Sequence, residues 1–96
     1  MTIALTILKQ LGNGRFVAMT GAKNLISHDD GLSFKIGRNS KKVTHCRVRL
    51  TPADEYIMEF MNIRGVNFKT IAVRENVYCD QLQTVFTSET GLDTHL

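Results

Sequence analysis

The stretch VTHCRVRLTPADEYIMEFMNIRGVNFKTIAV, residues 43–73, decides the fold of this chain. Its first part, THCRVRL, alternates polar and apolar side chains. Because successive side chains of a β-strand point to opposite faces, this period of two predicts a half-buried strand over residues 44–50. Pro52 and Asp54 then favour a turn, since proline presets φ and aspartate bonds locally to the backbone.

Two further strands follow in the same stretch. Residues 56–63 carry apolar side chains on both faces, which indicates a central strand or one whose second face is covered by a helix or a partner. Arg64 and Gly65 break this run, and residues 66–73 resume it. Sequential strands joined by short connections usually pair, so a meander is the simplest interpretation.

The segment before this stretch is less regular. Residues 2–11 have the apolar spacing of a short amphipathic helix. Residues 15–20 are apolar on both sides and predict the first strand. Two interpretations of residues 22–27 stay open: a bent continuation of that strand, or a loop that carries Leu25 and Ile26 into the core.

Turn signals and periodicity place the remaining elements. Residues 28–31 contain an Asp-Gly pair, which favours a hairpin, and residues 32–36 alternate as an amphipathic strand. Residues 37–42 predict a polar, flexible loop, and residues 80–90 a closing helix. The predicted fold class is therefore α+β: an antiparallel sheet of about five strands in a meander, flanked by an N-terminal and a C-terminal helix.

Length and composition indicate one globular domain. The chain has 96 residues, 43% of them hydrophobic and 22% charged, which is ordinary for a globular protein. We expect a single domain over residues 1–96, with a loose tail at 91–96. No apolar run approaches the roughly 20 residues of a membrane-spanning helix, and no secretory signal is visible. Cys46 and Cys79 lack metal spacing, so we expect two reduced thiols in a cytoplasmic protein; the alternative, a disulfide, is not indicated by the sequence.

The charge distribution is the strongest functional lead. The net charge is +3, and residues 35–49 hold six cations without an acid. These predicted nucleic-acid-binding residues are Lys35, Arg38, Lys41, Lys42, Arg47 and Arg49. Lys and Arg bind backbone phosphates through a largely sequence-independent electrostatic attraction. The competing interpretation is a solvated strand face on which Lys and Arg protect an edge.

Aromatic residues that stack on bases are the second mark of a single-strand reader. Phe34, Tyr56, Phe60 and Phe68 alternate with polar residues in a way that places most of these four side chains inward. Only His45 and Tyr78 remain as plausible stacking groups. The sequence therefore favours phosphate contact with little base specificity.

Three segments carry a resemblance to a known group. They are QLGNGRFVAMTGAKNL (10–25), RGVNFK (64–69) and VYCDQLQTVF with TGL (77–86 and 90–92). Together they resemble small uncharacterised proteins of bacteriophages and other mobile elements, most distinctively in the AMTGAKN segment. Relatives usually carry two glycines before the asparagine, whereas Gly12 and Gly14 flank Asn13 here. The resemblance implies a phage-type origin and a compact fold, and no residue-level activity.

Other chemical motifs are absent from the sequence. Residues 18–24 lack the spacing of a P-loop, and the adjacent residues His28, Asp29 and Asp30 cannot all converge on one ion. No signature supports a catalytic Cys-His pair. We therefore expect no enzyme activity, no cofactor and no metal.

A protein-interaction module is the alternative function. The predicted strands at 16–19 and 56–63 are apolar on both faces, and two short helices do not obviously cover both sides of a sheet. Leftover apolar surface is normally buried in a dimer or against a partner. The alternative is thus a non-enzymatic module that forms a homodimer or inhibits a host protein.

Overall fold

The computed structural model describes residues 3–92 and confirms the α+β fold class. Residues 3–92 form three α-helices, five strands and one 3₁₀ turn. The elements are α1 (Ile3–Leu11), α2 (Asn13–Thr20), β1 (Lys23–His28), β2 (Gly31–Lys35), β3 (His45–Leu50), β4 (Tyr56–Arg64), β5 (Asn67–Val77), the 3₁₀ turn (Cys79–Gln81) and α3 (Leu82–Thr90). Most of the predicted tail, residues 93–96, lies outside the described residues. No helix within residues 3–92 has the length and apolar character needed to cross a membrane.

The five strands form one antiparallel sheet in the order β1-β2-β3-β4-β5, so the predicted meander is confirmed. Pairing of β3 with β4 sets Val48 opposite Met58 on one face and Arg47 opposite Glu59 on the other. The predicted alternation of residues 44–50 is therefore correct, because one face of β3 is buried and the other is not.

The predicted first strand over residues 15–20 is wrong, because these residues belong to helix α2. Phe16 and Thr20 are the buried residues of α2 and lie four positions apart. Thr20 tolerates burial since its Oγ1 donates a hydrogen bond to the Phe16 carbonyl oxygen at 2.6 Å. A helical stripe whose second member is polar gives a weak sequence signal, and for this reason the short apolar run predicts a strand instead of a helix. Gly21, at φ 67°, ends the helix in the left-handed conformation.

The first strand lies instead at Lys23–His28, and neither interpretation of residues 22–27 is correct. This segment neither continues a preceding strand nor carries apolar residues into the core: Leu25 is 40% exposed and Ile26 is 55% exposed. At the other edge, β5 runs to Val77, beyond the predicted end at residue 73. Both edge strands are largely solvent-exposed, so their polarity does not alternate with burial.

The core lies between the three helices and one face of the sheet. At its centre Phe16 of α2 packs edge-on against Phe34 of β2 and Phe86 of α3, with ring centroids 5.3 and 5.1 Å apart. Helices α2 and α3 end alike: each has a buried phenylalanine, a buried threonine four residues later that bonds back to it, and a left-handed glycine. The two helices therefore deliver matching aromatic rings to one cluster.

The second face of the sheet is open within the described part of the chain. Its apolar residues on β4 are half-buried, and Phe68 and Val73 of β5 are 62% and 48% exposed. Those β4 residues are Ile57, Met61 and Ile63. All three helices pack on one side of the sheet, so they leave the second face uncovered, as the sequence suggested.

Candidate functional site

The loop between β2 and β3, residues 36–44, is held by hydrogen bonds along its length, although the sequence predicts it to be flexible. At its start Gly37 N donates to the Thr20 carbonyl at 2.8 Å, which fixes the loop to the end of α2. In its middle the Asn39 amide donates to the carbonyls of Gly37 and Val43 at 2.9 and 2.7 Å, and its Oδ1 accepts from Val43 N at 3.1 Å. Val43 is buried, so the loop is also anchored by the core.

The end of the same loop is attached to β4. Thr44 Oγ1 accepts a hydrogen bond from Ile63 N at 2.9 Å, and Asn62 Nδ2 donates to the Lys42 carbonyl at 2.7 Å. Lys42 has a φ of 60°, a left-handed conformation that a long side chain rarely adopts. The hydrogen bonds on either side of Lys42 therefore hold its backbone in an unfavourable conformation at this end of the sheet.

Two clefts flank Lys42, and we call them the first and the second cationic cleft. The first, of about 250 Å³, is lined by the loop and the end of β4, and the second, of about 290 Å³, by the loop, β4 and β5. Six cations line the two clefts, and no Asp or Glu is among the lining residues. The cations are Lys35, Arg38, Lys42 and Arg64 in the first cleft, and Lys41, Lys42 and Lys69 in the second. None of them has an ion-pair partner within residues 3–92.

Four of the six predicted site residues lie in these clefts: Lys35, Arg38, Lys41 and Lys42. The other two lie on the open sheet face beside acids. Arg47 Nη2 is 3.8 Å from Asp30 Oδ1, and Arg49 Nε is 3.0 Å from Glu59 Oε1. Both arginine Nε atoms are buried without a hydrogen bond in the described chain, so the Arg49–Glu59 contact is a charge attraction rather than a directed hydrogen bond.

Arg64 and Lys69 belong to the clefts although sequence reasoning did not select them. They lie on the β4–β5 hairpin, and the register sets Lys69 opposite Asn62, whose side chain holds the loop. Both residues are more than twenty positions from Lys42 in the chain. The predicted pairing of β4 with β5 was the signal that could have identified them. This pairing places the cations of the hairpin at the same end of the sheet as the 36–44 loop.

His45 lies at the same end of the sheet, opposite Lys35 on β2 and Met61 on β4. Its Nδ1 is 2.7 Å from the Thr44 hydroxyl. Partial burial, and then the charge of Lys35, lower the pKa of His45 below its usual value of 6.5. The imidazole is therefore mainly neutral near pH 7, and it lies beside one cation, Lys35.

Phe68 also lies at this end, and among the four aromatic residues 34, 56, 60 and 68 it is the one that does not point inward. The register sets Phe68 opposite Ile63 on the open face, while Ala72 lies opposite Phe60 on the buried face. A bulge between these pairs changes which residues share a face, because one extra residue reverses the alternation. Tyr78, the other predicted stacking group, follows the end of β5 that pairs with Tyr56, at the opposite end of β4.

The two thiols do not pair with each other. Cys46 is buried in the sheet, and burial, followed by the nearby Glu59, raises the pKa of its thiol. A protonated, enclosed thiol is a poor nucleophile, whereas Cys79 is exposed. Among residues 3–92 no three His, Cys, Asp or Glu side chains form a group that could hold a metal ion.

Comparisons of the chain with protein-family models, with curated proteins and with solved structures find no match. The interpretation of the site therefore rests on its own residues and geometry.

Proposed function

We propose that this chain is a nucleic-acid-binding accessory protein of phage type that acts in the bacterial cytoplasm and holds its ligand mainly through phosphates. One observation carries the proposal: six cations without an ion-pair partner in the described chain line two adjacent clefts that contain no acid. Each bound phosphate releases counterions condensed on the nucleic acid, which makes such a surface favourable for binding and sensitive to salt.

The clefts suit the backbone of a nucleic acid better than a single small anion. Lys42 lines both of them, so one ligand that occupies the two clefts contacts this residue on its way from one to the other. Five of the six cations are exposed, and the sixth, Lys35, is half-buried. Long exposed side chains can adjust to phosphates at different positions, and contacts to phosphates do not distinguish one base sequence from another. A ligand with repeated phosphates therefore satisfies more of the site than one phosphate does.

Arg47 and Arg49 are expected to contribute less than the cleft residues. Each already has an acid within 4 Å, at 3.8 Å for Asp30 and 3.0 Å for Glu59. A phosphate approaching either guanidinium meets a nearby negative charge that weakens its attraction. Among the six predicted nucleic-acid-binding residues, the two arginines can therefore serve as the control for the four that line the clefts.

The test is fluorescence anisotropy of labelled single-stranded DNA, duplex DNA and single-stranded RNA, titrated at low and at near-physiological salt. We expect binding that weakens steeply with salt. The double variant Lys42→Ala/Arg64→Ala should lower the salt slope by about 0.7–0.9 for each phosphate contact that it removes. Arg47→Ala/Arg49→Ala is the matched control, because it removes the same number of cations from the sheet face.

Two results decide against this proposal. Absence of binding to every probe at low salt refutes nucleic-acid binding itself. A loss of binding in the Arg47/Arg49 variant that equals or exceeds the loss in the Lys42/Arg64 variant moves the phosphate contacts from the clefts to the sheet face.

The open sheet face supports a second candidate function, a non-enzymatic protein-interaction module. Apolar side chains of β4 and β5 lie on this face half-buried or exposed, with Phe68 62% and Val73 48% exposed. Such a surface fits a second copy of the chain or a host protein that this chain inhibits. Sedimentation of the purified protein over a concentration series tests the first partner. Partner capture that is insensitive to salt and is lost in Val73→Asp favours the second.

A further inference from the structure

We propose that the ligand of the cationic clefts is single-stranded, and that Phe68 stacks against one of its bases. This inference rests on the proposed function and names the form of nucleic acid that the site takes. Phe68 is 62% exposed on the open face, close to the β4–β5 turn.

Cations of both clefts flank Phe68. Lys69, the next residue along β5, lines the second cleft, and Arg64, which pairs with the preceding residue Asn67, lines the first. Because neighbouring residues of a strand point to opposite faces, the Phe68 ring and the Lys69 ammonium lie on opposite sides of β5. β5 is an edge strand, so a ligand can pass around it and meet the ring on one side and the ammonium on the other.

An exposed aromatic ring beside the cationic edge of the sheet favours unpaired bases over a duplex. Bases within a double helix stack on one another and present only their edges in the grooves. An unpaired base offers a flat face, and stacking on an aromatic side chain stabilises the complex while tolerating any base. A positively charged groove next to an aromatic ring is the combination that sequence-tolerant single-strand binders use.

His45 offers a second flat surface in the same region. It lies on the open face in line with Lys35 and Met61, and its ring is neutral near pH 7 because its pKa is lowered. Met61 belongs to β4 and lies two residues before Ile63, the partner of Phe68. The open face thus carries a histidine and a phenylalanine at the end of the sheet that holds the cations.

The first experiment compares three side chains at position 68 by anisotropy with labelled oligothymidine. Phe68→Tyr keeps the aromatic face, whereas Phe68→Leu keeps apolar bulk and removes it. We expect tyrosine to bind within about twofold of wild type and leucine to bind about 5- to 150-fold more weakly, the range of one lost stacking contact. The salt slope should stay the same in all three proteins, because position 68 makes no phosphate contact.

A fluorescent reporter gives independent evidence, since the chain contains no tryptophan. Phe68→Trp places a single indole at the proposed stacking site, and oligothymidine should quench its emission. Tyr78→Trp is the matched control, because Tyr78 is 51% exposed and follows the other end of β5. An abasic oligonucleotide with the same number of phosphates should bind wild type and Phe68→Leu equally and quench neither indole.

The outcomes separate this inference from the proposed function. Tighter binding of duplex than of single strands, or unchanged binding by Phe68→Leu, overturns the stacking inference while salt-dependent phosphate binding still stands. Absence of all nucleic-acid binding at low salt removes both. If Phe68→Leu leaves oligothymidine binding intact and instead abolishes self-association or capture of a protein, the exposed ring belongs to a protein interface and the inference is wrong.

Discussion

Replacing Lys42 by glycine is expected to stabilise the fold and weaken the binding of nucleic acid at the same time. Lys42 has a φ of 60°, and a left-handed conformation costs a non-glycine residue about 1–2 kcal/mol. Glycine avoids that cost but loses about 0.5–1 kcal/mol more conformational entropy on folding. The midpoints of these two ranges predict that Lys42→Gly raises the free energy of unfolding by about 0.75 kcal/mol, with an upper limit of about 1.5 kcal/mol.

The binding loss follows from the position of the lysine between the two clefts. Removing its charge should lower the salt slope by about 0.7 for a single-stranded ligand. Lys42→Ala removes the same charge and keeps the strained backbone. Glycine and alanine variants should therefore bind equally weakly, while urea unfolding should show only the glycine variant to be more stable than wild type.

Asp54→Gly is the matched control for the relief of backbone strain, because it also replaces a residue of positive φ by glycine. Asp54 has a φ of 61° and lies in the β3–β4 turn, at the opposite end of β3 from the clefts. This variant should gain stability on the same grounds and keep the affinity and salt slope of wild type for DNA. If Lys42→Gly is no more stable than Lys42→Ala, the strain assigned to residue 42 is absent. If it retains wild-type affinity, Lys42 is not a phosphate contact.

Three further predictions concern the fold and its pH dependence. A Cβ added to Gly31 would clash with the Val48 carbonyl oxygen, so Gly31→Ala should lower the urea midpoint strongly. Gly14→Ala, which meets nothing within 4 Å in a helix, should raise it, and equal effects of the two would contradict the proposed clash. Phe86→Ala removes a fully buried ring of the aromatic cluster and should cost about 3–5 kcal/mol in chemical denaturation; a loss below about 1 kcal/mol would show that the cluster is not central to the core. Burial lowers the pKa of His45 in the folded state, so the unfolded chain takes up this proton first as the pH falls below 6.5, and stability falls with it. His45→Gln should flatten that part of the pH–stability profile, and a profile identical to that of wild type would exclude His45 as its source.

The sequence predicted the strands that carry a continuous apolar face. Alternate residues of β3 and of β4 are packed under the helices, and the boundaries of both strands lie within about one residue of the prediction. Helix α2 was missed because its second buried position is a threonine, whose burial depends on a hydrogen bond that composition does not reveal. Strand β1 was missed because none of its residues is buried, so tertiary pairing alone defines it.

The candidate site was predictable to the extent that it is local in sequence. The cations of the 36–44 loop and of the end of β2 were recognised from their clustering, and the structure places them in the clefts. The parts of the site that the sequence did not predict depend on the register of distant strands. This register sets Glu59 beside Arg49 and places Lys69 next to the loop. The orientation of Phe68 depended on a bulge in β5, which a strict period of two cannot anticipate.

The aromatic cluster has a consequence for how the chain folds during synthesis. A meander pairs each strand with the one made just before it, so the sheet can grow as the chain emerges. Phe16, in contrast, packs against Phe86, seventy positions later, and has no complete pocket until α3 has been made. We therefore expect ribosome-bound or truncated chains that lack α3 to expose the helix-facing side of the sheet to chaperones and proteases, so that only chains containing α3 escape degradation.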